Sequence, residues 1–209
     1  MKKHLLILFA ALLPLVASSA EKVEIDGIWY NLVSKAKQAE VTYKGWGSSD
    51  YDEYSGSITI PATVTYEGVD YGVTSIGYDA FEYCHALTSI NIPESVTSIG
   101  RYAFNDCRSL TAINISEGVT SIEAYAFFDC RSLTSITLPE SVTGIEECAF
   151  MRCSSLTSVT VLAMTPPIAE IHSFNNYSIA TLFVPQEAVN DYQNTSPWNE
   201  FETIQGFYP

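Results

Sequence analysis

Basic residues are scarce in this sequence. It contains 10 lysines and arginines against 24 aspartates and glutamates, which gives a formal net charge of −14. Proteins that bind nucleic acid depend on Lys and Arg to neutralise phosphates, so we expect no nucleic-acid partner. The acidic balance by itself is also consistent with a simple role in solubility.

Residues that could support catalysis or hold a cofactor are equally scarce. The sequence has no Gly-rich phosphate loop and no His-Glu-x-x-His motif, and only three histidines. The acidic stretch 48–56 places Asp50 and Asp52 at the first two positions of a calcium loop, but Pro61 stands at the twelfth position, where such a loop needs Glu. We therefore expect no metal, no cofactor and no catalytic residues.

Long apolar runs are limited to one, residues 5–16. This run follows Lys2 and Lys3 and precedes the small residues Ser18 and Ala20, an arrangement typical of a secretory signal peptide over residues 1–20. Cleavage there would leave eight basic residues against 24 acidic ones, a formal charge of −16. The mature chain is expected to be secreted, periplasmic or at the cell surface, without a membrane-spanning segment.

The most informative feature that is present is an internal repeat. The stretch VTSIGRYAFNDCRSLTAINISEG recurs with a period of 23 residues in four units, 73–95, 96–118, 119–141 and 142–164, here called units 1 to 4. Unit 5, residues 165–187, is degenerate: Ile179, Leu182 and Val184 follow 23 residues after apolar positions of unit 4 and are predicted to point inward.

Eight columns of the aligned units are apolar. In unit 2 these columns hold Val96, Ile99, Ala103, Phe104, Cys107, Leu110, Ile113 and Ile115. A unit of this length cannot enclose a core, so the columns make sense only if each unit buries its apolar side against the next. The alternation at residues 110–115 predicts a short strand in each unit. The sequence therefore predicts a repeat solenoid with a parallel sheet.

The pattern V-T-S-I-x-x-x-A-F-x-x-C-x-x-L-T-x-I-x-I-P resembles the 23-residue leucine-rich repeat of the BspA-like family, a bacterial subclass typical of secreted and surface proteins. The match is close over residues 73–164 and looser over 165–187. The resemblance implies a leucine-rich repeat fold with short parallel strands on the concave face. It also implies a role in adhesion or in recognition of host proteins.

A solenoid needs its two ends covered, because bare ends would expose core and unpaired strand edges. Residues 21–72 are predicted to form a β-rich N-terminal cap, with hairpins around SKAKQ and within TYEGVDYG and an irregular first repeat strand. The repeats are expected over residues 73–187. Residues 188–209 are predicted to form a C-terminal cap with a short helix, closed by Trp198, Phe201 and Ile204.

The five cysteines fall into two groups. Four of them are aligned in one apolar column, where buried neutral thiols acting as small apolar side chains are expected: Cys84, Cys107, Cys130 and Cys153. Cys148 instead shares a polar column with Asp79, Tyr102 and Tyr125 and is expected near the surface. The odd count leaves open a free thiol, an intermolecular pair or an inert, partly buried side chain. A catalytic pair of Cys84 with the adjacent His85 is disfavoured, because the core needs that thiol.

Charged residues also follow the repeat. Asp106 and Asp129 precede the aligned cysteines, while Arg108 and Arg131 follow them, and we expect exposed pairs between neighbouring units. A second row of like charge, beside the strands, consists of Glu94, Glu117 and Glu140. That row is either screened by water or useful for a cationic partner.

The outward strand positions are the candidate binding site. Two polar columns are predicted there, and the glutamate row lies beside them. The columns consist of Ser89, Asn91, Ala112, Asn114, Ser135, Thr137, Ser158 and Thr160. Such a smooth face suits a protein or another extracellular macromolecule. One alternative is an exported enzyme of glycan or peptide turnover, which needs two converging carboxylates in different environments. Another is carbohydrate binding, which needs exposed aromatic residues, and these columns contain none.

Overall fold

The computed structural model describes residues 20–45, 54–175 and 177–208. The predicted signal segment lies outside these residues except for Ala20, and so do Asp50 and Asp52. Three strands open the described chain: β1 (Glu21–Ile25), β2 (Ile28–Val33) and β3 (Gln38–Thr42). They pair antiparallel in sequence order. The hairpin around SKAKQ is thus confirmed, whereas β1 was not predicted.

Hairpin turns in this region use residues that accept positive φ. The turn between β1 and β2 has Asp26 at φ 50° and Gly27 at φ 81°, the combination that matches the twist of two antiparallel strands. Three further strands follow: β4 (Gly56–Thr59), β5 (Thr63–Tyr66) and β6 (Val69–Ile76). β5 and β6 form the second predicted hairpin, with Glu67 and Gly68 in its turn.

The repeats contribute two strands per unit, which stack into two parallel ladders. The longer strands are β7 (Leu87–Asn91), β9 (Ala112–Asn114), β11 (Ser135–Leu138), β13 (Ser158–Val161) and β15 (Thr181–Pro185). The two-residue strands are β8 (Ser98–Ile99), β10 (Ser121–Ile122), β12 (Gly144–Ile145) and β14 (Ile168–Ala169). With about six turns, the chain is a leucine-rich repeat solenoid, as predicted.

The longer strands form the concave ladder, which consists of two hydrogen-bonded blocks. One block has the order β4-β7-β9, and the other has the order β11-β13-β15 followed by a last strand, β16 (Thr203–Phe207). The second ladder, with the order β3-β6-β8-β10-β12-β14, joins the N-terminal cap directly to the repeats. Neighbouring units are therefore held together along two separate edges, except at β9 and β11, where only the second ladder is continuous.

The turn between the two strands of a unit reverses direction through left-handed residues. Two columns have positive φ, one of 56° to 61° at Asp79, Tyr102, Tyr125 and Cys148, and one of 60° to 64° at Tyr83, Asp106, Asp129 and Arg152. Backbone amides between them donate to the next unit, for example Phe104 N–H to Ala126 O at 2.7 Å. These bonds compensate a conformation that non-glycine residues seldom adopt.

Aromatic rings and thiols fill the core between units. Phe81, Phe104, Phe127, Phe150 and Phe174 stack in one column with centroids 5.0 to 5.1 Å apart. The four aligned cysteines are buried as predicted. The thiols of Cys107, Cys130 and Cys153 each donate to the carbonyl oxygen of a phenylalanine in the preceding unit, at 3.0 to 3.2 Å.

Unit 5 departs from the expected register. Ala169 pairs with Ile145 and Phe174 with Phe150, an offset of 24 residues, whereas Leu182 pairs with Val159 at an offset of 23. Relative to unit 4, unit 5 therefore has one extra residue before Ala169 and one residue fewer between Phe174 and Leu182. The prediction for Ile179 is wrong, because its side chain is 60% exposed and Ala180 is buried instead. Leu182 and Val184 are buried, as predicted.

The C-terminal cap closes the solenoid with a helix, aromatic residues and a strand. The helix α1 (Val189–Gln193) follows a 3-10 turn at Gln186–Ala188, and a second 3-10 turn lies at Trp198–Glu200. Trp198 donates its indole N–H to Pro167 O at 2.8 Å, and β16 then pairs with β15. None of the helices in the described ranges has the length and apolar character to cross a membrane.

Candidate functional site

The predicted site residues lie on the outward side of the concave ladder. The side chains of Asn91, Asn114, Ser135 and Thr137 are exposed, whereas three others are half-buried between their neighbours: Ser89, Ser158 and Thr160. Apart from Ile113, the inward residues of the same strands are buried, as alternation along a strand requires. One face of each strand thus fills the core while the other meets solvent.

Adjacent side chains on this face bond to one another. The Asn114 side-chain amide donates to the side-chain oxygen Oδ1 of Asn91 at 2.8 Å. The Ser89 hydroxyl donates to the Ser57 hydroxyl at 2.8 Å. These contacts run along the solenoid axis, so the surface is a row of small polar groups held in register.

Sequence reasoning underestimated the length of this face. The pairing places Ser57 and Thr59 of β4 before unit 1 in the two outward columns. At the other end it places Phe183 beside Thr160, and β16 adds Thr203 and Gln205. The eight predicted positions contain no aromatic residue, but the extended columns include one, the half-buried Phe183. The alternation of residues 57–60 and 181–184 is the signal that could have extended the columns.

The glutamate row borders this face without any compensating cation. Glu94, Glu117 and Glu140 are exposed, and within the described residues none of their carboxylates has a hydrogen bond or ion pair. The strand segments 87–95, 110–118, 133–141 and 156–164 contain no Lys or Arg. The four arginines of the repeats lie instead on the turn side or next to the second ladder. The concave face is therefore locally anionic.

The concave ladder is split between units 2 and 3. In the part of the chain that the structure describes, no backbone hydrogen bond joins residues 111–117 to 134–140, although every other neighbouring pair of these strands is bonded. Ile113 is half-buried as a consequence, whereas its equivalents Ile90, Ile136 and Val159 are buried. An open cleft of about 510 Å³ lies at the split.

The end of β9 leans toward unit 1 for identifiable reasons. Units 1 and 3 end in Pro-Glu-Ser, but unit 2 ends in Ser116-Glu117-Gly118. The Ser116 hydroxyl donates backward to Pro93 O at 2.9 Å. Gly118 packs so closely on unit 1 that a Cβ there would overlap the Glu94 carbonyl oxygen and lie 2.7 Å from that of Val96. Only glycine fits this approach.

The charge pairs on the turn side differ from the prediction. Arg108 pairs with Asp106 at 2.7 Å and Arg131 with Asp129 at 2.7 Å, each within its own unit. The carboxylates are buried, and a contact between units joins His85 to Asp106 at 3.2 Å. Burial alone would raise the pKa of Asp106, but hydrogen bonds from Arg108 and His85 outweigh it and lower that pKa. Exposed pairs between units were therefore the wrong expectation.

Cys148 was also misplaced by the sequence pattern. Its side chain is 6% exposed and forms a hydrogen bond with the side chain of Tyr125. Burial raises the pKa of the Cys148 thiol. Among the described residues, no group of three or more His, Cys, Asp and Glu side chains is arranged to hold a metal ion. Cys84 lies in the core while the His85 ring contacts Asp106, so the two side chains diverge.

Comparisons with known proteins agree with this architecture. A sequence profile described as a BspA type leucine rich repeat region matches residues 74–196 in six copies. A leucine-rich repeat protein from Bacteroides capillosus ATCC 29799 is 31% identical, with 67% of this chain and 97% of that chain covered and a TM-score of 0.57. One from Bacteroides ovatus ATCC 8483 is 25% identical, with 81% and 56% covered and a TM-score of 0.54.

More distant structures share the fold alone. The pneumococcal vaccine antigen PcpA is 17% identical, with 82% of this chain and 52% of that chain covered and a TM-score of 0.55. No curated protein matches the chain. The matched profile spans more than half of the sequence, and most of the repeated apolar positions of units 1 to 4 are buried in the core. The chain therefore belongs to the BspA-type leucine-rich repeat family.

Proposed function

We propose that this protein is a non-enzymatic binding module that recognises an extracellular protein or other macromolecule through its concave face. The observation that carries the proposal is the face itself. Two outward columns of small polar side chains run across the ladder, bordered by a glutamate row with no cation beside it. A broad, shallow surface of this kind suits a large partner better than a small substrate.

Export supports the same role. The N-terminal segment has the basic start, apolar run and small residues of a signal peptide, so we propose that the mature protein is secreted or held at the cell surface, where it could act in adhesion. Leucine-rich repeat domains are typically scaffolds for protein interactions, and no catalytic family is indicated. The concave face would meet its partner outside the cytoplasm.

An enzyme of glycan turnover is a weaker explanation of this face. Glycoside hydrolysis uses two carboxyl groups about 5 to 9.5 Å apart in different environments, one of which keeps its proton. Glu94, Glu117 and Glu140 occupy equivalent, exposed positions in successive units. Equivalent positions do not give two carboxyl groups distinct proton affinities. Turnover of a glycan or peptide by the purified protein would nevertheless overturn the binding-module proposal.

The proposal can be tested by blocking the face. The purified mature protein is screened against immobilised extracellular-matrix proteins and glycans, and a partner is then measured with the Asn91→Arg, Asn114→Arg and Thr137→Arg variants. Each bulky replacement on the concave face should weaken binding at least about 10-fold, or about 1.4 kcal/mol. Ser155→Arg, an exposed position on the turn side, is the matched control and should change the Kd by less than about 2-fold.

Thermal melts of all four variants accompany the binding data, because only outward side chains are changed and the melting temperature should move little. Loss of binding in Ser155→Arg with full binding in the concave variants would reverse the assignment of the face. If none of the matrix proteins and glycans binds, the proposed function fails.

A further inference from the structure

The split between units 2 and 3 is the one place in the described concave ladder where main-chain groups face each other without bonding. β9 gives its bonds to unit 1, through Asn114 O to the Ile92 amide at 3.3 Å and through the Ser116 hydroxyl to Pro93 O at 2.9 Å. β11 is bonded to β13 on its other side. The facing edges of β9 and β11 therefore keep free hydrogen-bonding capacity.

The cleft is lined about equally by polar and apolar residues, and its only charged residues are two glutamates. Its lining includes Asn91, Glu94, Asn114, Ser116, Glu117 and Thr137. Two carboxylates stand there without an ion pair in the described chain. The volume of about 510 Å³ falls within the range of roughly 300 to 1,000 Å³ that is usual for ligand sites.

We infer that this cleft binds a lysine or arginine side chain presented by an extended basic segment of the protein partner. This inference rests on the proposed function and specifies the chemistry of the partner. A cation in the cleft would lie between Glu94 and Glu117 and could donate to Asn114 and Thr137, which supplies the positive charge that the strand segments of the concave face lack. An anionic partner would meet only repulsion from the same carboxylates.

Glu140 provides a matched control. It occupies the same column as Glu94 and Glu117, one unit further along, but it does not line the cleft. General attraction of a basic peptide to an acidic protein depends on all three carboxylates about equally. Binding in the cleft depends on two of them and on the width of the split.

The experiment uses the mature protein and a fluorescein-labelled peptide, Gly-Ser-Arg-Gly-Ser-Lys-Gly-Ser-Arg-Gly-Ser, measured by fluorescence anisotropy. The same peptide with glutamate in place of each basic residue is the negative probe. Glu94→Gln combined with Glu117→Gln should weaken binding of the basic peptide at least 5-fold, while Glu140→Gln should weaken it less than 2-fold. Added salt should weaken the wild-type complex, because screening shortens the reach of exposed charges.

A second variant tests the split itself. Ser116→Pro combined with Gly118→Ser restores the Pro-Glu-Ser ending of units 1 and 3. Because a side chain at position 118 would overlap the backbone of unit 1, the strand end should move toward unit 3 and narrow the cleft. Peptide affinity should fall at least 5-fold while all three glutamates remain. If this variant does not fold, the two glutamine variants decide the question alone.

Three results would overturn the inference: no saturable binding of the basic peptide up to about 1 mM, equal losses in Glu140→Gln and the double glutamine variant, or unchanged affinity in a folded Ser116→Pro, Gly118→Ser protein. Its failure is distinguishable from failure of the proposed function. If a matrix protein binds the concave face and Asn91→Arg blocks that binding, the proposed function stands even when the basic peptide does not bind in the cleft.

Discussion

The ring of Phe127 stacks on the ring of Phe104 with their centroids 5.0 Å apart and their planes 4° from parallel. Phe150 covers the opposite face of Phe127 at 5.1 Å. Phe127 is fully buried, and the amide of the same residue donates to Ala149 O at 2.8 Å. One residue therefore links three successive units through its side chain and its backbone.

Phe127→Ala should lower the free energy of unfolding by about 3 to 5 kcal/mol. The missing ring leaves a cavity between Phe104 and Phe150, and the backbone bonds between units prevent that cavity from closing. Thermal or urea unfolding measures the loss. Phe128→Ala is the control: it removes the same group from the adjacent, half-buried position and should cost under about 1 kcal/mol. Equal effects of the two substitutions would contradict the placement of Phe127 in the core.

All five cysteines should resist a thiol reagent in the native protein and react after denaturation. Burial raises the pKa of the Cys107 and Cys130 thiols well above its usual value, so almost no thiolate is present at neutral pH. Cys148, at 6% the most exposed of the five, should be labelled first as the protein opens. Mass spectrometry of maleimide-treated protein gives the order. A disulfide among the four aligned cysteines would refute the buried thiol ladder.

Asp79 should make the protein less stable at alkaline pH. Burial, followed by the nearby Glu82 carboxylate, raises the pKa of Asp79 to about 7, against about 3.9 in an unfolded chain. Its protonated form is favoured by folding, so its contribution to stability is complete below pH 4 and is lost as the pH rises toward 7. Its Oδ1 atom is buried without a hydrogen-bond partner among the described residues.

Asp79→Asn should therefore stabilise the protein at pH 8 by about 1 to 3 kcal/mol and change little at pH 4. Asparagine removes the charge but tolerates the left-handed backbone, with φ 56°, at this position. Urea unfolding at the two pH values measures the difference. Glu147→Gln, at an exposed position, is the control. The same gain for Asp79→Asn at pH 4 and pH 8 would contradict the proposed cause.

The sequence predicted the elements that repeat. Equal spacing and identical residues in the apolar columns are enough to specify a solenoid, because each unit must bury the same positions against its neighbours. The concave strands, the buried thiols and the hairpins of the N-terminal cap followed from this spacing and from local turn chemistry. The register of neighbouring strands can be predicted from sequence where a one-residue shift would move a buried side chain to the surface.

What the sequence could not show depends on backbone geometry. The column of Cys148 holds aspartate and tyrosine in other units and therefore looks exposed, but every member has a positive φ and none of the four side chains is fully exposed. The shift in unit 5 is hidden because a gain before Phe174 is offset by a loss before Leu182. The split at Gly118 was visible as a departure from Pro-Glu-Ser, although its consequence requires three-dimensional packing.

The column of stacked phenylalanines has a different arrangement at each end. Its inner rings lie within 3° to 7° of parallel, but Tyr54 meets Phe81 at 54° and Trp198 meets Phe174 at 54°. A tilted ring presents its edge, whereas continued parallel stacking with a ring of another molecule would need its flat face. The tilted aromatics thus cover the terminal rings Phe81 and Phe174, which are both buried, so neither ring is exposed for a second molecule to continue the stack.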